Sequence, residues 1–112
     1  MSYIPEKGDI VWLDFDPAAG KEIQKCRPAL VISHIAFNRT TYFAVVCPIT
    51  TTFRKFPTHV PLPKQLNTAG YVVVSQLKSI DFKVRNIAFI EKVPTFYLKQ
   101  IDQLVEYIFS KD

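Results

Sequence analysis

Glycine is scarce in this chain, with only three in 112 residues, at positions 8, 20 and 70. A phosphate-cradling P-loop and a dinucleotide-binding fingerprint each need several glycines in one short run, so both are excluded. Two cysteines, Cys26 and Cys47, are too few for a disulfide framework, and nothing points to an oxidising compartment. The two histidines, His34 and His59, lack metal-ligand spacing with Cys, Asp or Glu, and no Ser-His-Asp pattern is legible. No apolar run approaches the ~20 residues that span a bilayer. The first residues, Met1 to Lys7, lack the basic-then-apolar pattern of a signal peptide. The expectation is a soluble, cytoplasmic protein with no metal, no other cofactor and no membrane partner.

Acidic residues are missing from the whole middle of the chain. Between Ile23 and Ile80 there is no Asp or Glu, whereas Lys25, Arg27, Arg39, Arg54, Lys55, Lys64 and Lys78 all fall there. The net charge of +4 is modest, but its segregation builds a field of one sign that attracts polyanions. The same cations are also compatible with a basic surface that merely keeps the protein in solution.

A hydrophobic content of 48% and an aromatic content of 13% support a packed globule and argue against disorder. The length fits one domain spanning residues 1–112. Strands are expected over 9–15, 28–34, 42–48, 58–62, 70–76 and 86–92, each bounded by turn chemistry such as Asn38-Arg39-Thr40 or Asn67-Thr68-Ala69-Gly70. Short β elements and eight prolines indicate a mainly β fold, a small and strongly bent antiparallel barrel. Near the C-terminus the period changes. Leu98, Ile101, Leu104 or Val105, and Ile108 recur at helical spacing after Pro94-Thr95, which is read as a strand stop and N-cap. An amphipathic helix of about four turns is expected there. One or two short helices are expected elsewhere, within 64–68 or 79–84.

The first two strands are joined by an eleven-residue connection, Asp16 to Cys26, longer than most hairpin loops. It carries Glu22 and ends at Arg27, just before an apolar, β-branched run. Other polar groups gather at strand ends. Thr50, Thr51 and Thr52 follow one strand, Gln76, Lys78 and Ser79 follow another, and Arg85 precedes a third. Metal-free cleavage of RNA demands a proton acceptor for the 2′-hydroxyl, a fixed cation or donor at the phosphoryl oxygens, and a proton for the leaving oxygen. Arg27 offers a planar cationic fork, Thr50 a hydroxyl donor and Glu22 a base. Each also has an ordinary reading: a cover for a strand edge, a β-favouring strand end, a solvated loop carboxylate. Cys47 reads as a small core residue. Cys26 adjoins Lys25 and Arg27, which favour a thiolate, but no His stands near it in sequence. His59 alternates opposite to Thr58 and Val60 and is read as a structural or surface histidine.

Taken together, Gly8-Asp9-Ile10-Val11-Trp12, Asp14-Phe15-Asp16-Pro17, Gly20-x-Glu22, Arg27-Pro28-Ala29-Leu30-Val31-Ile32-Ser33, Pro48-Ile49-Thr50-Thr51 and Gln76-x-Lys78-Ser79-Ile80-Asp81 resemble the MazF/PemK family of toxin endoribonucleases. The resemblance runs over about residues 7 to 92. It implies an SH3-like barrel acting as a homodimer, metal-independent and sequence-selective cleavage of single-stranded RNA, chiefly mRNA, and neutralisation by a MazE-like antitoxin with an acidic, disordered tail. By position it implies Arg27 and Thr50 as the main catalytic pair, Glu22 as an assisting carboxylate and Gln76 as a substrate contact. Cys26 stands where some relatives carry a His, so a mechanism resting on that imidazole does not apply. Further RNA contacts are expected from Phe15, Lys25, Thr51, Arg54, Lys55, Lys78 and Arg85, with Phe53 and Phe56 available for base stacking. Two other functions use the same barrel: a poison of a protein target such as gyrase, and a plain RNA-binding module.

Overall fold

A computed structural model describes residues 3–15, 20, 22 and 25–111. The elements run β1 (Asp9–Asp14), β2 (Cys26–Val31), α1 (Ile35–Thr41), β3 (Phe43–Thr50), β4 (His59–Pro61), β5 (Tyr71–Val73), a 3₁₀ turn (Val74–Gln76), β6 (Lys78–Asp81), β7 (Ala88–Lys92) and α2 (Thr95–Phe109). The strands form one antiparallel sheet in the order β4-β5-β3-β2-β1-β7, with β6 also paired to β3. The mainly β, antiparallel architecture with a C-terminal helix is as expected. Most of the long connection 16–26 lies outside the described residues.

Alternation in β1 and β2 explains why the sheet is buried on both faces. Val11, Leu13 and Phe15 point into one cluster with Ala29, Val31, Ala44, Val46, Ile80 and Phe82. Ile10 and Leu30 point the other way, joining Cys47, Ile49, Val60 and Val72 beneath Tyr97 and Ile101 of α2. Cys47 is thus the core residue expected, and burial pushes its thiol pKa up to about 12. The Tyr97 hydroxyl donates to the Val60 carbonyl at 3.0 Å, satisfying both groups inside the core.

Four expectations need correction. A strand beyond the six expected, β6, occupies part of 79–84, one of the two places expected for a short helix, and the 64–68 segment makes turns and bends only. The strand expected over 70–76 stops at Val73, because the 3₁₀ turn interrupts it. Ile49 pairs with Val72; an unbroken ladder would then set Val46 opposite Ser75, yet Val46 pairs with Lys78, three residues on. The turn expected at Asn38-Arg39-Thr40 belongs to α1. Asn38 is wholly buried there, donating to the carbonyls of Pro5 at 2.8 Å and Ser33 at 3.1 Å, and tertiary bonds of this kind outweigh its weak helix propensity. Finally, α2 is capped at Pro94 with no side-chain hydrogen bond, so Thr95 opens the helix instead of capping it, and Ile108 stays exposed.

Candidate active site

β2 begins at Cys26, so Arg27 sits inside the strand, opposite Leu13 of β1. On its other edge β2 pairs with β3, Val31 to Val46 and Ala29 to Pro48. Two more residues along each strand bring Arg27 level with Thr50, the last residue of β3, on the same face of the sheet. Both side chains line one cavity of about 820 Å³, together with Thr52, Arg54, Phe56, His59, Ser75 and Gln76. The Thr52 amide donates to the Thr50 hydroxyl oxygen at 3.2 Å. That bond occupies an acceptor position of Thr50 and leaves its hydroxyl proton for a ligand.

The 3₁₀ turn builds the far wall. Its three inserted residues lift Ser75 and Gln76 off the edge of β3, and both residues also line a second cavity of about 330 Å³ with Phe15, Glu22, Pro48, Leu77 and Lys78. Glu22 therefore lines the adjoining cavity, which shares Ser75 and Gln76 with that of Arg27 and Thr50. Phe15 is 2% exposed and belongs to the core. It forms part of the cavity floor, under the Lys78 ammonium at 6.0 Å from its ring centre, and presents no open face to a base.

The remaining candidates are more dispersed. Thr51 points away from Thr50 into a third cavity of about 440 Å³ with Pro61, Lys64 and Tyr71. Lys55 is exposed between Arg54 and Phe56. Lys25 is exposed at a positive φ of 71°, and its carbonyl accepts from the Phe15 amide at 3.1 Å. Arg85 lies at the end of β1, its carbonyl accepting from the Asp14 amide at 3.3 Å. Cys26 is an exposed thiol at the start of β2.

His59, read from its alternation as a structural or surface histidine, lines this cavity. Its alternation opposite to Val60 was legible, and Val60 does point into the core. The opposite face turns out to be the wall that Arg27 and Thr50 share, because β5 bridges β4 to β3, pairing His59 with Val73 and Tyr71 with both Pro61 and Thr50. The His59 ring packs against Phe56 with 5.6 Å between centroids. Its Nδ1 is buried with no hydrogen-bond partner. Burial, and then the nearby Arg54 charge, hold its pKa below the usual 6.5. A neutral imidazole thus stands on the cavity wall at neutral pH.

Among the described residues, no group of three or more His, Cys, Asp and Glu side chains is placed to hold a metal ion. None of the described helices is long and apolar enough to cross a membrane. The cavity instead combines a guanidinium, hydroxyls, a carboxamide and aromatic rings, a set suited to a phosphodiester and its bases.

Comparison with known proteins agrees with this reading. Residues 6–109 match the family model of PemK-like, MazF-like toxins of type II toxin-antitoxin systems. The chain is 37% identical over 83 residues to the endoribonuclease toxin MazF of Escherichia coli K12, covering 74% of each chain. The fold is similar to crystalline MazF from Deinococcus radiodurans, with a TM-score of 0.90 at 33% identity over 96% of this chain and 97% of that one. It is also similar to a chain of the MazE-MazF complex of the same organism, with a TM-score of 0.86 at 32% identity over 99% and 100% of the two chains. The Arg27 and Thr50 cavity thus stands on a chain that belongs to the PemK-like, MazF-like toxin family of type II toxin-antitoxin systems.

Proposed function

We propose that this chain is an endoribonuclease toxin that cuts single-stranded RNA, mRNA in particular, at selected sequences in the cytoplasm. The observation that carries this reading is the meeting of Arg27 and Thr50 on one cavity wall within an acid-free stretch of chain. The Arg27 fork binds the phosphoryl oxygens, where negative charge grows as the 2′-oxygen attacks phosphorus. The Thr50 hydroxyl donates a second hydrogen bond to the same oxygens. RNA laid across both cavities brings Glu22 to the strand as a proton acceptor, with Gln76 on the ridge between them. The 2′-hydroxyl loses its proton, the 2′-O–P bond forms, the P–5′-O bond breaks, and the 5′-oxygen takes a proton. The products are a 2′,3′-cyclic phosphate and a 5′-hydroxyl, with no metal in the route.

The active species is a homodimer, and it is neutralised by a MazE-like antitoxin whose acidic segment occupies the basic cavity. Such a segment folds on binding and accepts an ordering cost in return for covering a large surface.

Incubation of the purified protein with a mixed-sequence RNA in EDTA tests the reading. Discrete cleavage is expected, and a 2′-deoxy substitution at the cut nucleotide should stop it while sparing binding. Binding without cleavage would leave a plain RNA-binding barrel. Failure to bind RNA would leave a poison of a protein target. Cleavage of the 2′-deoxy substrate, or loss of activity in EDTA, would mean metal-assisted attack by water.

A further inference from the structure

The segment that follows β3 reads Thr50-Thr51-Thr52-Phe53-Arg54-Lys55-Phe56. It holds two large aromatic rings in water: Phe53 is 65% exposed and Phe56 60% exposed. Two exposed rings flanking two cations match the composition of a stacking surface for nucleotides. Neither ring is loose. Phe53 packs edge-on against Tyr71 of β5, 5.6 Å between centroids, and Phe56 packs against His59 of β4 at the same distance.

The two pairs adjoin different cavities beside the strand end. Thr50 and Thr52 line the cavity that holds Phe56 and His59. Thr51, between them, lines the cavity that holds Tyr71, the ring against which Phe53 rests. Gly70 makes this arrangement compact. At φ 130° it passes so close to β3 that a Cβ would stand 2.5 Å from the Thr50 carbonyl oxygen, and this approach sets the neighbouring Tyr71 directly beside Thr50.

We propose that Phe56 backed by His59, and Phe53 backed by Tyr71, are two separate base-stacking subsites, one on each side of the phosphate held by Arg27 and Thr50. The inference rests on the ribonuclease reading for the position of that phosphate. Its consequence is that the bases on either side of the cut are splayed apart onto different rings. That geometry exposes the phosphate between them and selects bases by stacking as well as by hydrogen bonding.

The test uses two probes. The first is a random-sequence 12-mer RNA bound by the Arg27→Ala variant, alone and combined with Phe53→Leu or Phe56→Leu. Each Leu substitution keeps an apolar side chain but removes the ring. Each should weaken binding by roughly 5- to 150-fold, the scale of one base stacked on an aromatic ring, and Tyr in place of Phe should restore it. The second probe is an RNA spanning a mapped cut site, made uncleavable by 2′-deoxy at the cut nucleotide and abasic at one flanking position at a time. Loss of one flanking base should make Phe56→Leu silent, and loss of the other should make Phe53→Leu silent. Coupling of both rings to the same base, or to neither, overturns the proposal, as does unchanged binding of the random RNA by both Leu variants. If the wild-type protein fails to cut RNA while both Leu variants lose random-RNA binding, the ribonuclease reading falls and the stacking surface stands. If it cuts normally and neither ring couples, the reverse holds.

Discussion

The two ends of the sheet draw on different charge compositions. Near the start of β1 and the end of β7, cations meet acids within the fold. Lys92 reaches Glu6 at 2.8 Å and Asp9 at 2.7 Å, and Lys7 reaches Asp102 at 2.9 Å. Asp9 is almost fully buried there and also accepts from the Tyr3 hydroxyl and, at 3.0 Å, from the Glu6 amide. Burial and this acidic neighbour push the Tyr3 hydroxyl pKa far above its usual range. At the other end, Arg27, Arg54 and Lys78 line cavities on a stretch whose sequence supplies no acid. The contrast separates two uses of charge. Ion pairs around Asp9 tie distant segments together, and cations drawn from an acid-free run give the cavities a positive field.

The sharpest way to break that division is at Arg27 and Thr50. Arg27→Ala should slow single-turnover cleavage by ~10²–10³ or more, the scale for removing a preorganised donor from developing charge. Arg27→Lys should recover only part, because a point charge cannot reproduce the fork. Thr50→Ala should be strongly impaired, Thr50→Ser less so, and Thr52→Ala least. Melting temperatures should barely move for Arg27→Ala. A folded Arg27→Ala protein cutting at near wild-type rate would end the assignment.

The converse substitution is Asp9→Ala at the other end. It strands the Tyr3 hydroxyl and leaves Lys92 with Glu6 alone, and should cost about 1–3 kcal/mol of stability in denaturant melts. Cleavage by the remaining folded fraction should be unchanged. A loss of specific activity out of proportion to unfolding would show that the two ends are not independent.

Salt should distinguish the ends more gently. Binding of an uncleavable RNA should weaken with a log–log slope of roughly −0.7 per phosphate neutralised. The partly buried pairs around Asp9 should feel salt much less. A flat binding response would remove the electrostatic part of the case for the basic end.

The smallest expected effect is that of pH on stability. His59 has a pKa below 6.5 in the folded protein, so the unfolded chain takes up its proton first as pH falls. Stability should therefore decline as pH drops below about 6.5, and His59→Gln should flatten that slope. Glu91 accepts from the Thr68 hydroxyl and from the amides of Thr68 and Asn67, and these bonds, the Thr68 hydroxyl foremost, hold its carboxyl below 4.5. Its contribution is present above 4.5 and is lost at lower pH, and Glu91→Gln should remove that second decline. Melting temperatures measured from pH 8 to 3 would show both, and a wild-type curve flat between pH 7 and 5 would discount His59.

Much of the fold was legible because its signals are local. Alternation in Ile10-Val11-Trp12-Leu13 and the helical period through Leu98 and Ile101 come from neighbours a few residues apart. α1 was missed because seven residues with two threonines carry little helical signal, and buried Asn38 depends on Pro5, distant in sequence. The break between β5 and β6 was missed because Val72-Val73-Val74 reads as one continuous strand. At the site, the residue types at Arg27, Thr50, Gln76 and Arg54 were legible, and their sharing of one wall with His59 was not.

The sequence by itself determined which side chains alternate, where the terminal helix begins its period, and where acids are absent, since each is a property of residue order. Tertiary structure alone decided that Arg27 comes level with Thr50, that Glu22 falls in the adjoining cavity, and that His59 turns toward the shared wall. The reason is the sheet order. Strands β2, β3, β4 and β5 follow one another in the chain, but β5 comes to lie between β3 and β4, and only the hydrogen-bonded register fixes which outward-facing residues meet.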